Sequence, residues 1–468
     1  MSVDLRIYQY NRLEIDRGQE VIIQYEKRPI KAFTKEPVAV ALYATGIKTL
    51  ARSMKYHRPR GAFCFWGTCN SCRMRIDGLP SQRACKALCH DGLVVKEERT
   101  LSGAKPDILF AADLAYPNKM EYHHMFLRPA PLNKLFARMV RKFAASAKLP
   151  ASSQKFGEIK EEKVDLLIIG AGASGLALAR LVPDSLKPIV IDSHFEPGGR
   201  LLFEDTNVDT PWTQAKTGPA LARTWSSEAM KRGARFYLNS EAVGFAEEGC
   251  WIIRCADHLS LIWADKTVVA TGAYDQPFGF VRDDLPGVVS ARGVRRLVNY
   301  WGIYPAARAF VVGTGYDALM AAKALSEIGV RVMGVAESAS SARYEALASS
   351  VELYGAKVFY GYKPSRAIGR LHLGGIELAP KGGVGEKLKF ACDLIVVDSA
   401  AQPAYELLAQ AKAIVKFDPE RRRFLPEVDS DGLTSVKGLF AIGEVTGIER
   451  LDDVFSQAGR LAKQLSEE

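Results

Sequence analysis

Lys163-Val-Asp-Leu-Leu-Ile-Ile169 runs directly into Gly170-Ala-Gly172-Ala-Ser-Gly175, a buried-strand pattern opening onto a glycine-rich turn. The helix Leu176 to Leu181 follows, and a second strand, Pro188-Ile-Val-Ile191, ends in Asp192. Glycines at these places permit the tight turn and let the backbone approach a pyrophosphate at the helix N-terminus, while Asp192 stands where a carboxylate can bind a ribose hydroxyl. A lone GxGxxG says little. With a strand before it, a helix after it and an acid 22 residues beyond its first glycine, it marks a dinucleotide-binding fold. Glu196-Pro-Gly-Gly199-Arg200 comes just past the acid, and a Gly-Gly-Arg there is a habit of FAD-binding domains. The expected flavin-site residues here are Gly170, Gly172, Ala173, Ser174, Gly175, Asp192, Gly199, Arg200 and Val243.

A second unit repeats the plan. Ala309-Phe-Val-Val312 leads into Gly313-Thr-Gly315-Tyr-Asp-Ala318 and a helix to Ile328, and Val330 to Ala336 reads as a strand ending in Glu337. Ala318 replaces the third glycine, which the fingerprint tolerates, and Glu337 favours NAD over NADP by repelling a 2′-phosphate. Gly313, Gly315, Ala318 and Glu337 are thus expected to hold NAD or another adenine nucleotide. Thr267-Val-Val-Ala-Thr271-Gly272-Ala and Gly438-Leu-Phe-Ala-Ile-Gly443-Glu444 resemble the crossover and terminal motifs of flavoproteins in which an NAD unit is inserted into the FAD unit. Glu444 stands for the usual Asp there and must retract to make the same hydrogen bond to the flavin chain.

Upstream lie Cys64-Phe-Trp-Gly-Thr-Cys69-Asn-Ser-Cys72 and then Cys85. C-x4-C-x2-C…C is the plant-type [2Fe-2S] spacing, with Cys64, Cys69, Cys72 and Cys85 as ligands and Cys89 as the competing fourth. A zinc ribbon shows two CxxC knuckles where this stretch has one, and plain core cysteines are the other bland reading. Arg12 to Asp16 and Glu20 to Glu26 read as strands, Val38 to Lys48 as a helix, and Arg73 to Gly78 as a strand ending on a hairpin signal that carries Cys85 back. That order is a β-grasp ferredoxin domain.

Its 468 residues suggest about three units of ~100–200 residues. The net charge of +10 is interleaved with 53 acidic residues, which argues against nucleic acid and for a protein-docking face. The longest uncharged apolar run, Leu166 to Ala179, is short of a membrane span, and the first residues carry no secretory pattern, so a cytoplasmic location is expected. The expected organisation is α/β plus α+β: a β-grasp domain over 1–100, a linker over 101–162, an FAD domain over 163–285 and 390–468, and an inserted NAD-like domain over 286–389. In the linker, Leu132, Leu135, Phe136, Met139, Val140 and Phe143 form one helical stripe flanked by basic residues, suited to packing or to peripheral membrane contact.

Three segments together, Ser53 to Gly61, Gly198-Gly-Arg-Leu-Leu202 and Asp284-Leu-Pro-Gly-Val-Val-Ser-Ala-Arg-Gly-Val-Arg-Arg296, resemble the α subunits of heterotetrameric sarcosine oxidase. Opine oxidase, hydrogen cyanide synthase and dye-linked proline dehydrogenase chains share these elements. The chain stops soon after Gln457 to Ala462, so the long folate-binding half of the sarcosine oxidase subunit is not implied. The four-cysteine loop resembles the small ferredoxin-like subunit of the opine and cyanide systems, fused here to the flavoprotein.

Cys250 and Cys255 have the spacing of a redox disulfide but fall on an expected strand, where positions five apart face opposite ways. His123-His124 has no further ligand at metal-binding spacing, and His57 sits in a stretch suited to packing. No general acid/base pair or nucleophile emerges, so no catalytic residue is assigned. The resemblance implies an electron-transfer subunit of a heteromeric amine or amino-acid dehydrogenase, its partner a glycine/sarcosine oxidase-like FAD subunit and its acceptor a quinone or protein. A free-standing NADH-dependent FAD/[2Fe-2S] reductase and an assembly subunit with a non-catalytic nucleotide site are the other readings.

Overall fold

The computed structural model describes residues 3–8, 15–53, 58–98, 131–135, 157–352 and 354–467. Two compact units result, one from Met1–Ser153 with Asp275–Ala400, the other from Gln154–Tyr274 with Ala401–Glu468.

The N-terminal sheet has the strand order Arg28–Phe33, Glu20–Tyr25, Val94–Glu97, Arg73–Ile76, Leu79–Arg83. Only the Glu20–Tyr25/Val94–Glu97 pair in it is parallel. The helix Val38–Ala44 is apolar on every side and buried along its whole length, as such a helix must be. Ile15 and Asp16 are not in a strand, and residues 12–14 of the expected first strand lie outside the described residues. The hairpin partner of Glu20–Tyr25 is instead Arg28–Phe33, across a two-residue turn in which Glu26 and Lys27 both take positive φ, 47° and 66°. That is primed-turn geometry without the usual Asn-Gly or Asp-Gly signal. At the second hairpin the signal is present, with Asp77 and Gly78 at φ 46° and 79°.

The same unit contains an all-parallel sheet ordered Val288–Ser290, Leu394–Val397, Arg308–Val312, Arg331–Glu337, Val358–Tyr360. An antiparallel sheet of Tyr362–Gly369, Leu373–Pro380 and Leu388–Phe390 adjoins it in sequence. One apolar cluster joins Phe63 and Cys64 to Leu285, Val288, Phe310 and Val312, so the cysteine loop and the inserted domain share a core.

In the other unit, Ile159–Ile169 and Leu259–Val269 pair in parallel along their full lengths. Ile189–Ile191 and Arg235–Tyr237 extend this sheet on one side. On the other side the start of Leu259–Val269 pairs with the antiparallel meander Trp251–Arg254 and Glu241–Phe245, and its end pairs in parallel with Leu439–Ala441. The C-terminal helix Leu451–Glu467 completes the unit, burying Val454, Phe455, Ala458 and Leu461.

Of the expected amphipathic linker helix, residues 131–135 are helical, with Leu132 and Leu135 exposed; the rest of that stripe, His123-His124 and His57 lie outside the described residues. No helix among the described residues is long and apolar enough to cross a membrane. All eight cysteines are free, Cys250 and Cys255 included.

Candidate redox sites

Three of the four cysteines are almost fully buried: Cys64, Cys72 and Cys85, each at 2% exposure or less. Their thiols interact with one another, Cys64 with Cys69 and Cys85, and Cys85 also with Cys72. The loop achieves this by curling, with Phe65 and Asn70 held in the left-handed region at φ 52° and 57°, a local cost typical of functional loops. The Trp66 N–H donates to Cys64 Sγ at 3.3 Å. Burial alone would raise the Cys64 thiol, but hydrogen bonds from Cys69 and Cys85 and the Arg296 charge hold it well below the usual thiol range. Among the described residues no three His, Cys, Asp or Glu side chains converge on a single ion. A two-iron cluster asks for something else, two thiolates per iron, and the linked thiols of Cys64, Cys69, Cys72 and Cys85 fit it. Cys89 belongs to another neighbourhood. Burial and the nearby Glu36 carboxylate push its thiol up to about 12, and its backbone N–H donates to the Glu36 carbonyl at 3.0 Å.

One of the three segments that resemble sarcosine oxidase α chains, Asp284 to Arg296, packs against this loop. Ser290 N donates to the Phe63 carbonyl at 3.1 Å, and Arg296 Nη1 donates to the Cys64 carbonyl at 2.7 Å. Arg296 also pairs with Asp275 at 2.8 Å and lies over the Trp66 ring. Burial raises the Asp275 carboxyl, opposed by Arg296 and Arg292. Neither Asp275 nor Arg296 was expected as a site residue. Arg296 was quoted only as part of a motif, and Asp275 carries no spacing signal.

In the other unit four separated segments converge on the glycine turn. The helix starts at Ala173 with Gly172 as its N-cap, and a Cβ built on Gly172 meets no protein atom within 4 Å. The backbone at Gly172 is thus open to an incoming group, as a pyrophosphate requires. Gly175, by contrast, faces the Gly170 carbonyl so closely that only hydrogen fits. Gly199 packs on Gly172, and Gly443 on Ser174. Ala171 N and His194 N each donate to Asp192, both at 2.7 Å. These bonds fix the carboxylate of Asp192 beside the glycine turn, at the position where a ribose acceptor is required. Thr271 Oγ1 donates to the Ala404 carbonyl at 2.9 Å, and the Gly272 carbonyl accepts from Ala404 N. Arg200 Nη1 donates to Glu444 Oε1 at 2.8 Å and to the Glu449 carbonyl at 2.9 Å, so the longer acid is spanned by an ion pair. Val243 stands apart, 46% exposed on the outermost strand of the meander. Glycine loop, acid, Gly-Gly-Arg turn and C-terminal Gly-Glu together fit an FAD pyrophosphate and ribose.

The second glycine loop is built alike. Thr314 N and Oγ1 donate to Glu337 Oε2 at 3.1 and 2.6 Å, Ala339 N donates to Oε1, and Gly315 caps the helix Tyr316–Glu327, whose first turn includes Ala318.

Residues 164–461 match the pyridine nucleotide-disulphide oxidoreductase model, and residues 18–100 match the 2Fe-2S iron-sulfur cluster binding domain. The chain belongs to the pyridine nucleotide-disulphide oxidoreductase family. It is a FAD-dependent oxidoreductase, with FAD and a [2Fe-2S] cluster as its cofactors. Sarcosine oxidase subunit alpha of Rhizobium meliloti (strain 1021) is 27% identical over 413 residues, covering 81% of this chain and 41% of its own length. Hydrogen cyanide synthase subunit HcnA of Pseudomonas aeruginosa is 35% identical over 79 residues, 17% of this chain and 75% of that subunit. Among solved structures, the L-proline dehydrogenase from P. horikoshii shares the fold at a TM-score of 0.67 and 18% identity, over 97% of this chain and 74% of that one. The chain thus spans about two fifths of the sarcosine oxidase relative.

Proposed function

We propose that this chain is the electron-transfer subunit of a heteromeric amine or amino-acid dehydrogenase of sarcosine, proline or opine type. The observation that carries the reading is that one polypeptide presents both a thiolate cage for one-electron chemistry and an open glycine loop for FAD. When bound, FAD supplies the exchange between two-electron and one-electron transfer, and the cluster supplies single-electron relay. Cys64, Cys69, Cys72 and Cys85 hold the cluster, with Arg296 fixing the loop backbone at Cys64. Gly170, Gly172 and Asp192 hold the pyrophosphate and ribose, and the Arg200–Glu444 pair fixes the far side of that cradle. Gly313, Gly315, Ala318 and Glu337 form the second nucleotide-type loop.

The relatives support a partner. They are named as subunits of sarcosine oxidase and hydrogen cyanide synthase, and this chain's homologous region is only part of the larger one. The substrate is then oxidised on a partner FAD subunit of the glycine/sarcosine oxidase type, and electrons leave this chain for a quinone or a protein acceptor. Affinity purification from the native host tests the reading. A second flavoprotein should co-purify in fixed stoichiometry, and sarcosine, proline or an opine should bleach the complex but not the isolated chain. Bleaching of the isolated chain by NADH at a catalytic rate would favour the free-standing reductase instead.

A further inference from the structure

The two dinucleotide-type domains allow the same backbone position to be compared within one chain. Val268-Val269-Ala270-Thr271 closes the sheet beside the first glycine loop, and Val396-Val397-Asp398-Ser399 closes it beside the second. The registers agree: Val269 lies opposite Ile169, the residue before Gly170, and Val397 lies opposite Val312, the residue before Gly313. Ala270 and Asp398 are therefore equivalent, and their carbonyls face Gly170 and Gly313 in the same way. Their side chains differ in consequence. A Cβ built on Gly172 meets nothing within 4 Å, whereas one built on the corresponding Gly315 falls 2.1 Å from Asp398 Oδ2.

The middle glycine of this fingerprint is small so that a pyrophosphate can approach the backbone at the helix N-terminus. In the second domain that approach is already taken by a carboxylate of the chain itself. The backbone of Ala318, in the helix's first turn where N–H groups lack intrahelical partners, favours the ionised form of Asp398. The pyrophosphate of a dinucleotide would meet occupied volume there. Asp317, in the same turn, adds a second carboxylate, although Arg292 and Arg295 pair with it at 2.8 and 2.5 Å.

We propose that Asp398 fills the pyrophosphate seat of the second glycine loop and closes this domain to NAD(H) and to other adenine nucleotides. The domain then serves as the bed on which the cysteine loop packs, through Ser290 and Arg296, and not as a nicotinamide port. This inference rests on the second loop alone and stands whether or not the partner dehydrogenase is found.

Acid extraction of the purified full chain, with chromatography of the released nucleotides, gives the first test: FAD and no NAD, ADP or ATP is expected. Calorimetric titration with NAD+ and with ADP gives the second. Wild-type binding should be on the order of millimolar or weaker, Asp398→Ala should tighten it by about tenfold or more, and Asp398→Asn, which keeps the volume, should remain within about threefold of wild type. Stoichiometric NAD or adenine nucleotide in the extract, or micromolar binding by wild type, would overturn the proposal whatever the variants do. So would a folded Asp398→Ala protein, judged by its circular dichroism and retained FAD, that binds no better than wild type.

Discussion

Arg296 donates from Nη1 to the carbonyl oxygen of Cys64 at 2.7 Å, so a side chain of the inserted domain holds the backbone at the first cysteine of the cluster loop. The same guanidinium pairs with Asp275, and both residues are buried. Removing it leaves a carboxylate in a low-dielectric site with one principal partner fewer. Arg296→Met should therefore cost about 3 kcal/mol in urea denaturation. It should also lower the cluster's midpoint potential on the order of tens of millivolts, because a nearby positive charge is lost. Arg296→Lys should restore the potential more fully than the stability. A potential unchanged in the methionine variant would show that the contact only packs the loop.

Cluster loading separates the five neighbouring cysteines. Serine at position 64, 69, 72 or 85 leaves an iron short of a thiolate, and each variant should lose most of its iron and its reduced-state EPR signal. Cys89→Ser should keep both, since that thiol sits beside Glu36 and outside the loop. Full iron in Cys85→Ser with loss in Cys89→Ser would reverse the assignment.

For the flavin site, Gly172→Val fills the open space over the helix N-terminus and should lower FAD content severalfold with little loss of stability, because a Cβ there meets no protein atom within 4 Å. Asp192→Ala removes the acceptor for Ala171 N and His194 N as well as the ribose partner, so it should lower both FAD content and stability, the latter by about 1–3 kcal/mol. Extraction and absorbance of the released flavin measure the first, and urea midpoints the second. Normal flavin in both variants would place FAD elsewhere.

Asp398 makes a pH signature. Burial, reinforced by Asp317 and opposed by Arg292 and Arg343, raises its carboxyl from 3.8 to about 7. A folded-state pKa above the unfolded one means that the folded chain binds the extra proton between those values. This residue's contribution to stability therefore falls as pH rises from about 4 to about 7 and is level above that. Asp398→Asn should gain stability relative to wild type across that window, by up to about 4 kcal/mol. Urea midpoints of the two proteins between pH 4.5 and pH 8 read the difference directly. A constant difference would mean that Asp398 titrates alike in the folded and unfolded chains.

Both cofactor folds were legible because their chemistry forces residue types into fixed spacings. Four thiolates around two irons and a backbone that must approach a pyrophosphate leave strong marks in a single sequence. The strand Arg28–Phe33 was missed because its turn residues, Glu26 and Lys27, adopt positive φ without glycine or asparagine, leaving tertiary pairing to decide the turn. The Asp284–Arg296 motif could be quoted but not explained, since its partners Phe63 and Cys64 lie more than two hundred residues away. Asp398 escaped notice for a different reason. The second fingerprint was judged on its glycines and Glu337, whereas the residue that blocks it arrives from the far end of the domain, where Ala270 stands in the first.

Anaerobic stopped-flow mixing of the purified, FAD- and cluster-loaded chain with excess NADH bears most directly on where this protein's electrons come from. We expect no flavin or cluster bleaching on the timescale of turnover, with bleaching by an amine or amino acid only after the partner subunit is added. Complete reduction by NADH within milliseconds, abolished by Gly315→Val, would contradict the account and make the chain an NADH-dependent reductase.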